Sequence, residues 1–505
     1  MLVLALRSVK RCARVAICRS DLQALQVDIK RQWNRVATAH GVINIMNIEL
    51  KSSNYRNDSI LLGFSDLRRL KTERPLVFER GKGIFIYDEN GKDYIESVSC
   101  FYCVSLGFSE ERLVEAATKQ LKTLPMYSSA IHRTVPAVME LTERLAALAP
   151  VKNPRIYFST TGSEAVDHLL KFMWYGNGFA GEPQRRKIIS RRASYHGSTI
   201  ATSALGGSQE LHESFGIPMG FSLQVSHPSW PNAGLPGEDE EAFTERLAAE
   251  LDETILAAGP ETVGAMIAEP MSVSAGMFPP PASYFPKITQ VLRKYGIQLF
   301  VDEVVTGFGR SGRMWASEAM GLEPDCMTCA KGISGAYMPI AGIIMGEEFN
   351  RRLDIGNEAK GWFAHGATHH AHVVSAAVAN EVLNIFEERD ILGHVRRMIP
   401  KWNLMLDSLL DHPLVVGNRK WGLAGAIEVA YPGEGRAGPA GSLKVGGVTK
   451  DVYEAGLAEG VIVRPLAGCF VMAPPLIITE AEITELGRRV RAALDRALAI
   501  RPAAL

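Results

Sequence analysis

Phe158-Ser-Thr-Thr-Gly-Ser-Glu-Ala-Val166 runs from a short apolar stretch through a small polar turn into a helical pattern. Val166, Leu169, Leu170, Met173 and Trp174 follow at i, i+3, i+4, i+7 and i+8, the spacing of one helix face. Thr161 with Glu164 three residues later predicts a capping box. A strand, a turn and a helix in that order make one half of a β/α unit, and the pattern repeats. Arg155–Ser159, Lys187–Ser190, Ala265–Glu269, Gln298–Glu303 and Ile340–Met345 are short apolar runs between helical segments. Nearly continuous apolar strands are covered on both faces, so residues 150–350 predict a doubly wound α/β sheet.

On the flanks, Ile84–Tyr94 reads as two strands joined by Asp88-Glu89-Asn90-Gly91, while Val378–Glu387 and Glu480–Ala499 read as amphipathic helices. A Gly-rich stretch spans Gly417–Gly447. The expected organisation is a basic leader at 1–45, a small-domain segment at 46–110, a large domain at 111–375 and a second small-domain segment at 376–505.

The 505 residues carry 55 Lys+Arg against 55 Asp+Glu and are 47% hydrophobic, so the chain can bury a large core. Zero net charge gives no electrostatic case for nucleic acid. Apolar stretches such as Met1–Leu6 fall far short of the roughly 18 residues that span a bilayer, so no membrane association is expected. Residues 1–45 hold eight basic side chains and two acids, which reads as an organelle transit peptide or an over-long reading frame with a second start at Met46. Seven cysteines without a secretory signal point to a reducing compartment, and a cytoplasmic location is expected. Cys100 with Cys103 and Cys326 with Cys329 have C-x-x-C spacing, but both pairs lie in apolar, strand-like segments, and no metal site is expected there.

Chemistry-bearing groups follow the strands. The turn at 161–163 leaves the amides of Gly162 and Ser163 at a helix N-terminus, where free N–H groups favour a phosphate; a plain capped helix is the simpler reading of that turn alone. Tyr195-His196-Gly197, Glu269 and Asp302-Glu303 fall just after apolar runs, and ligands of open α/β sheets bind outside the carboxyl ends of the strands. A carboxylate ending a dry strand is costly unpaired, so Asp302 calls for a cationic partner such as a protonated cofactor ring nitrogen. In Cys329-Ala-Lys331-Gly, a desolvated lysine would become a nucleophilic amine, whereas a random lysine would lie on the surface.

Thr-Gly-Ser-Glu-Ala (161–165), Tyr-His-Gly (195–197), Ala-Glu-Pro (268–270), Asp-Glu-Val (302–304), the Lys331 segment and His365-Gly-Ala-Thr368 together resemble the class III pyridoxal-phosphate-dependent aminotransferases, or ω-transaminases, over roughly residues 65–500. The resemblance implies a fold-type I enzyme with a central, mostly parallel seven-stranded sheet, helices on both faces and a smaller α+β domain. It implies pyridoxal 5′-phosphate as cofactor, Lys331 as the Schiff-base lysine and Asp302 as partner of the pyridine nitrogen. Thr161, Gly162 and Ser163 would surround the phosphate, Tyr195 and Val304 would clamp the ring faces, and His196 and Glu269 would lie nearby. It further implies a homodimer in which Thr368 reaches the phosphate of the neighbouring subunit. The expected reaction moves an amino group from a primary amine to a keto acid, pyruvate being expected, by ping-pong kinetics.

Arg464 resembles the mobile arginine of amine:pyruvate transaminases, since its planar fork suits a carboxylate and can swing aside. Tyr102 sits where that family often has Trp, and a bulky or long-chain amine is expected. Thr368 is followed by His369-His-Ala-His372-Val, a departure from the family pattern, and the four histidines 365, 369, 370 and 372 lack the carboxylate spacing of a metal site. A decarboxylase, racemase or aminomutase on the same fold is the alternative within pyridoxal enzymes. Gly307-Phe-Gly309-Arg-Ser-Gly312 fits G-x-G-x-x-G and offers a nicotinamide-dependent oxidoreductase as rival, although Asp302 and Glu303 would then repel the pyrophosphate.

Overall fold

The computed structural model describes residues 59–434 and 445–500, so the basic leader, Met46 and part of the Gly-rich stretch lie outside the described residues. The chain divides into two units, Met1–Val77 and Phe78–Leu505. The described part of the first holds one 3-10 turn at Arg69–Lys71, with an ion pair between Arg69 and Glu73.

The second unit is organised by a seven-stranded sheet. Its strands are β4 (Arg155–Ser159), β5 (Lys187–Arg191), β6 (Ser222–Val225), β7 (Val263–Ala268), β8 (Gln298–Asp302), β9 (Cys326–Cys329) and β10 (Ala341–Met345), in the order β4-β10-β9-β8-β7-β5-β6. All pairings are parallel except those of β10, which runs antiparallel to both β4 and β9. Strand β6 is an addition to the five read from the apolar runs, and β9 is the strand-like segment of Cys326 and Cys329.

Both faces are covered, and the alternation along β7 shows how. Ala265 and Ile267 join a core with Val166, Leu169 and Met173 of helix α3 (Gly162–Phe179). Met266 and Ala268 join the core that contains Phe243 and Leu247 of α4 (Glu240–Ala258) and Ile288 of α5 (Tyr284–Lys294). The period of two sends successive side chains to opposite faces, so every residue of this strand is buried. Before α3 come α1 (Glu111–Thr123) and α2 (Pro136–Leu148). After α5 come α6 (Glu347–Lys360), α7 (Val373–Glu388), α8 (Ile391–Asp407), α9 (Gly447–Glu459) and α10 (Glu480–Ile500).

Two smaller sheets lie outside the central one. Strands β1 (Phe78–Lys82), β2 (Phe85–Asp88) and β3 (Asp93–Glu96) form an antiparallel meander, and β13 (Val461–Ile462) joins β3 in parallel. Segments from both flanks of the central block therefore share one sheet. The β2–β3 turn is closed by Asp88, whose carboxylate accepts from the amides of Asn90 at 2.9 Å and Lys92 at 3.0 Å, with Gly91 at φ +81°. Strands β11 (Val415–Lys420), β12 (Gly425–Val429), β14 (Arg464–Leu466) and β15 (Cys469–Met472) make the third sheet, in the order β11-β12-β15-β14. No described helix is long and apolar enough to cross a membrane.

Candidate active site

The carboxyl ends of the parallel strands open on a cavity of about 190 Å³. It is lined by Gly162 and Ser163 after β4, Tyr195 and His196 after β5, Glu269 after β7, Asp302 and Val304 at the end of β8, and Lys331 after β9. Eight residues singled out from the sequence thus converge because adjacent parallel strands end at one level.

Thr161 is the N-cap of α3, and its hydroxyl accepts from the Glu164 amide at 3.1 Å. The expected capping box is offset: Glu164 turns its carboxylate to the Thr160 amide at 2.8 Å and the Thr160 hydroxyl, not to Thr161. The N–H groups of Gly162 and Ser163, in the first turn, have no acceptor among the described residues. A Cβ on Gly162 would lie 3.0 Å from Val304 Cγ2, and one on Gly197, at φ +142°, would lie 2.6 Å from Ser163 Oγ. Glycine at 162 and 197 therefore lets the chain pack closely on Val304 and Ser163 where it meets the cavity, a cradle that suits a phosphate. Gly162→Ala is expected to push Val304 aside at a cost of about 1 kcal/mol, measured by chemical denaturation; an unchanged midpoint would contradict so tight an approach.

Asp302 is buried. Its Oδ1 accepts from the Val304 amide at 3.0 Å and its Oδ2 lies 2.8 Å from His196 Nδ1. The carboxylate that seemed to demand an outside cation has part of that demand met by an imidazole of the same chain. Glu269 is tied down further: Oε1 accepts from the Tyr195 amide at 3.0 Å and Oε2 from Arg191 Nη2 at 2.8 Å. Burial works against its charge, but His196, Arg191 and the Tyr195 amide outweigh it and hold Glu269 down at about 2.

Lys331 adopts φ +50°, unusual for a side-chain-bearing residue, and begins a 3-10 turn. Its Nζ lies 6.0 Å from the centroid of the buried Tyr102 ring. Burial pushes the amine below its ordinary range; Asp302 and Cys103 oppose this and Arg464 adds to it. The surface-lysine reading is therefore set aside by its position.

Tyr102 comes from a tight turn in which Ser99, Cys100, Phe101 and Tyr102 all have φ between +47° and +71°. Left-handed backbone at four successive non-glycine residues is costly and persists only when surroundings fix it. Here the buried Glu96 carboxylate accepts from the amides of Val98, at 3.0 Å, and Cys100, while Ser99 Oγ donates to the Ala473 carbonyl at 2.6 Å. Arg464, the first residue of β14, holds its guanidinium 4.7 Å from the Phe101 ring centroid. Tyr102 and Arg464 therefore approach Lys331 and Phe101 rather than lining the cavity floor. Thr368 lies exposed in the loop before α7 and does not line this cavity.

Arg191, 1% exposed at the end of β5 and hydrogen-bonded to Glu269, is a side chain of this site that the sequence reading missed. The signal was present: an arginine closing an apolar strand needs a buried acceptor, and Glu269 closes the next one.

The rival G-x-G-x-x-G reading fails on its own geometry. Residues 307–312 run as turns, and the helix beyond them, Ala316–Ala319, has four residues. Gly309 packs on Leu476 and Phe386, and Gly312 on Arg396, so the chain itself fills the room the glycines leave. Among the described residues no group of three or more His, Cys, Asp or Glu is placed to hold a metal ion. His370 instead stacks on Tyr157 at 5.4 Å and His365 meets His168 edge-on at 4.6 Å.

The family model for class-III aminotransferases matches residues 68–494. A gamma-aminobutyrate transaminase 1, mitochondrial, of Oryza sativa subsp. japonica is 38% identical over 82% of this chain and 80% of its own length. A vanillin aminotransferase of Capsicum frutescens is 39% identical over 82% and 90%. Among solved structures, the ω-transaminase from Pseudomonas jessenii in complex with PMP is similar with a TM-score of 0.84 at 36% identity, covering 88% of this chain and 98% of that one. A PMP-bound aminotransferase from Vibrio fluvialis gives 0.83 at 30% identity, covering 90% and 99%. A phosphate cradle, a buried carboxylate and a desolvated lysine around one cavity are the fittings that cofactor needs, and the chain belongs to the class III aminotransferases, transaminases of the fold-type I class that work with pyridoxal 5′-phosphate.

Proposed function

We propose that the chain transfers the amino group of a bulky or long-chain primary amine to pyruvate by a ping-pong mechanism, working as a homodimer in the cytoplasm. The observation that carries this reading is Lys331, desolvated in the cavity and facing the Tyr102 ring at 6.0 Å.

Pyridoxal 5′-phosphate, when bound, supplies the aldehyde that condenses with amines and the ring that takes up electrons from the substrate carbon. Lys331 Nζ would hold the aldehyde end, and its free amine would move the proton at the substrate carbon. The amides of Gly162 and Ser163 hold the phosphate, beside the Thr161 cap. Tyr195 and Val304, which line the cavity, would hold the ring between them and so fix the plane that decides which substrate bond is weakened. Asp302 holds a proton at the ring nitrogen, with His196 fixing its other oxygen and Glu269 at the ring edge. Thr368, exposed in its own chain, would reach the neighbouring subunit's phosphate.

Arg464 and Tyr102 read the substrate. Relatives named for gamma-aminobutyrate and for vanillin bracket a straight-chain and an aromatic substrate, and an arginine whose planar guanidinium lies 4.7 Å from the Phe101 ring can bind a carboxylate or swing aside for an apolar group. A reducing compartment suits the described cysteines, which are free thiols.

An amine panel with pyruvate as acceptor, read by alanine formation, tests the reading. Arg464→Ala is expected to slow the half-reaction with pyruvate roughly 10- to 100-fold and the half-reaction with a carboxylate-free amine far less. Equal losses in both halves would count against a dual role for Arg464, and no alanine from any amine would rule out pyruvate as acceptor.

A further inference from the structure

The cavity wall contains a buried charge sequence in which Glu269 and His196 already have a part in the transamination reading above and Arg191 has none. Arg191 Nη2 donates to the Glu269 carbonyl at 2.6 Å, to Glu269 Oε2 at 2.8 Å and to Ser272 Oγ at 3.1 Å. Ser272 Oγ in turn donates to Glu269 Oε2 at 3.2 Å. On the far side, His196 Nε2 stands 3.9 Å from the same Oε2, beyond hydrogen-bond reach, and has no other partner among the described residues. Its Nδ1 is engaged with Asp302 at 2.8 Å. One carboxylate thus lies between a guanidinium it hydrogen-bonds and an imidazole that attracts it without a hydrogen bond.

We propose that Arg191 is a positioning residue for the cavity: by taking Glu269 as a buried, hydrogen-bonded ion pair it keeps that carboxylate from hydrogen-bonding His196, so that the only hydrogen bond of the imidazole among the described residues goes to Asp302. The inference deepens the transaminase reading and rests on it only for the part Asp302 plays.

The physical reason is the cost of an uncompensated charge in a dry site. Glu269 is satisfied by Arg191, Ser272 and the Tyr195 amide, and so has no need of a fourth donor. Without Arg191 the carboxylate would be relieved by a proton on His196 Nε2. Asp302 would then face an imidazolium, its charge would be largely cancelled, and its hold on a ring nitrogen would weaken. Nothing else nearby can replace Arg191. His227, buried beside it, is pushed down to about 3, chiefly by burial, which stays when Arg191 is removed, against the pull of Glu269. Tyr284, also electrostatically coupled to Arg191 and Glu269, is pushed up by burial and brings no cation. Tyr195 contributes its backbone amide, and Lys331 faces Asp302, not Glu269.

The test follows the side-chain nitrogens of His196 by NMR in the full chain with cofactor bound, using histidine-selective ¹⁵N labelling and His196→Gln to assign the signal. Arg191→Met is expected to raise the proton affinity of His196 about tenfold or more, and Arg191→Lys, which keeps a cation, to restore it within about threefold. Glu269→Gln alone should lower that affinity by a similar factor, and Arg191→Met with Glu269→Gln should return it to the starting value. If Arg191→Met does not fold, Glu269→Gln and Arg191→Lys still decide the matter. An unmoved His196 titration in either Arg191→Met or Glu269→Gln, with the fold intact, overturns the proposal. Such a result would leave the transaminase reading standing, because alanine formation in the unsubstituted chain is a separate measurement.

Discussion

Lys331→Ala is expected to cut turnover by on the order of 10⁴-fold or more and to remove the yellow absorbance near about 400 nm that a lysine-bound pyridoxal shows. Lys331 is the one lysine lining the described cavity, so no neighbouring amine can take its place. Its nucleophilicity has a physical source: burial lowers the cost of losing the proton, and the Arg464 charge adds to that against the pull of Asp302 and Cys103. Lys331→Arg should be as poor as alanine, since a guanidinium does not give up its proton. Steady-state rates and an absorbance spectrum of the purified variant check both. Turnover near the unsubstituted level would take the lysine out of the chemistry.

The second large effect falls on Asp302. Asp302→Ala is expected to lower kcat by about 10²- to 10³-fold or more while leaving some cofactor bound, because the cradle at Gly162 and Ser163 is on another strand. A carboxylate with one oxygen on the Val304 amide and the other 2.8 Å from His196 is held rigidly. Its loss would also set His196 adrift, so His196→Ala should reproduce a fraction of the defect. The signature is a fall in kcat with little change in KM, since the interaction matters most when electrons reach the ring. A rise in KM at constant kcat would instead make Asp302 a binding residue.

The central sheet was legible because strands covered on both faces are apolar throughout, and Arg155–Ser159 was bounded to the residue. Ser222–Val225 escaped because it is an edge strand with polar residues in two of four places. Cys326–Cys329, read as strand-like from its apolar surroundings, is a strand of four residues, whereas Cys100–Cys103, read the same way, lies in and just after a left-handed turn. The site was legible to the extent that its residues follow strand ends. Arg191 does so too, yet a basic residue after an apolar run reads as a solvated end unless its acceptor is known. The turn at 99–102 left no trace in the sequence, since left-handed backbone is usually announced by glycine, and this turn has none. The capping box was misplaced by one residue because Thr160 and Thr161 are chemically alike and only the fold chooses which Glu164 reaches.

Reduction of the cofactor-loaded protein with borohydride, followed by proteolysis and mass spectrometry, tests the central claim most directly. The account requires the pyridoxyl mass on the peptide that contains Lys331, and on no other lysine. A label on a different lysine, or a cofactor that washes away unlabelled after reduction, would contradict it.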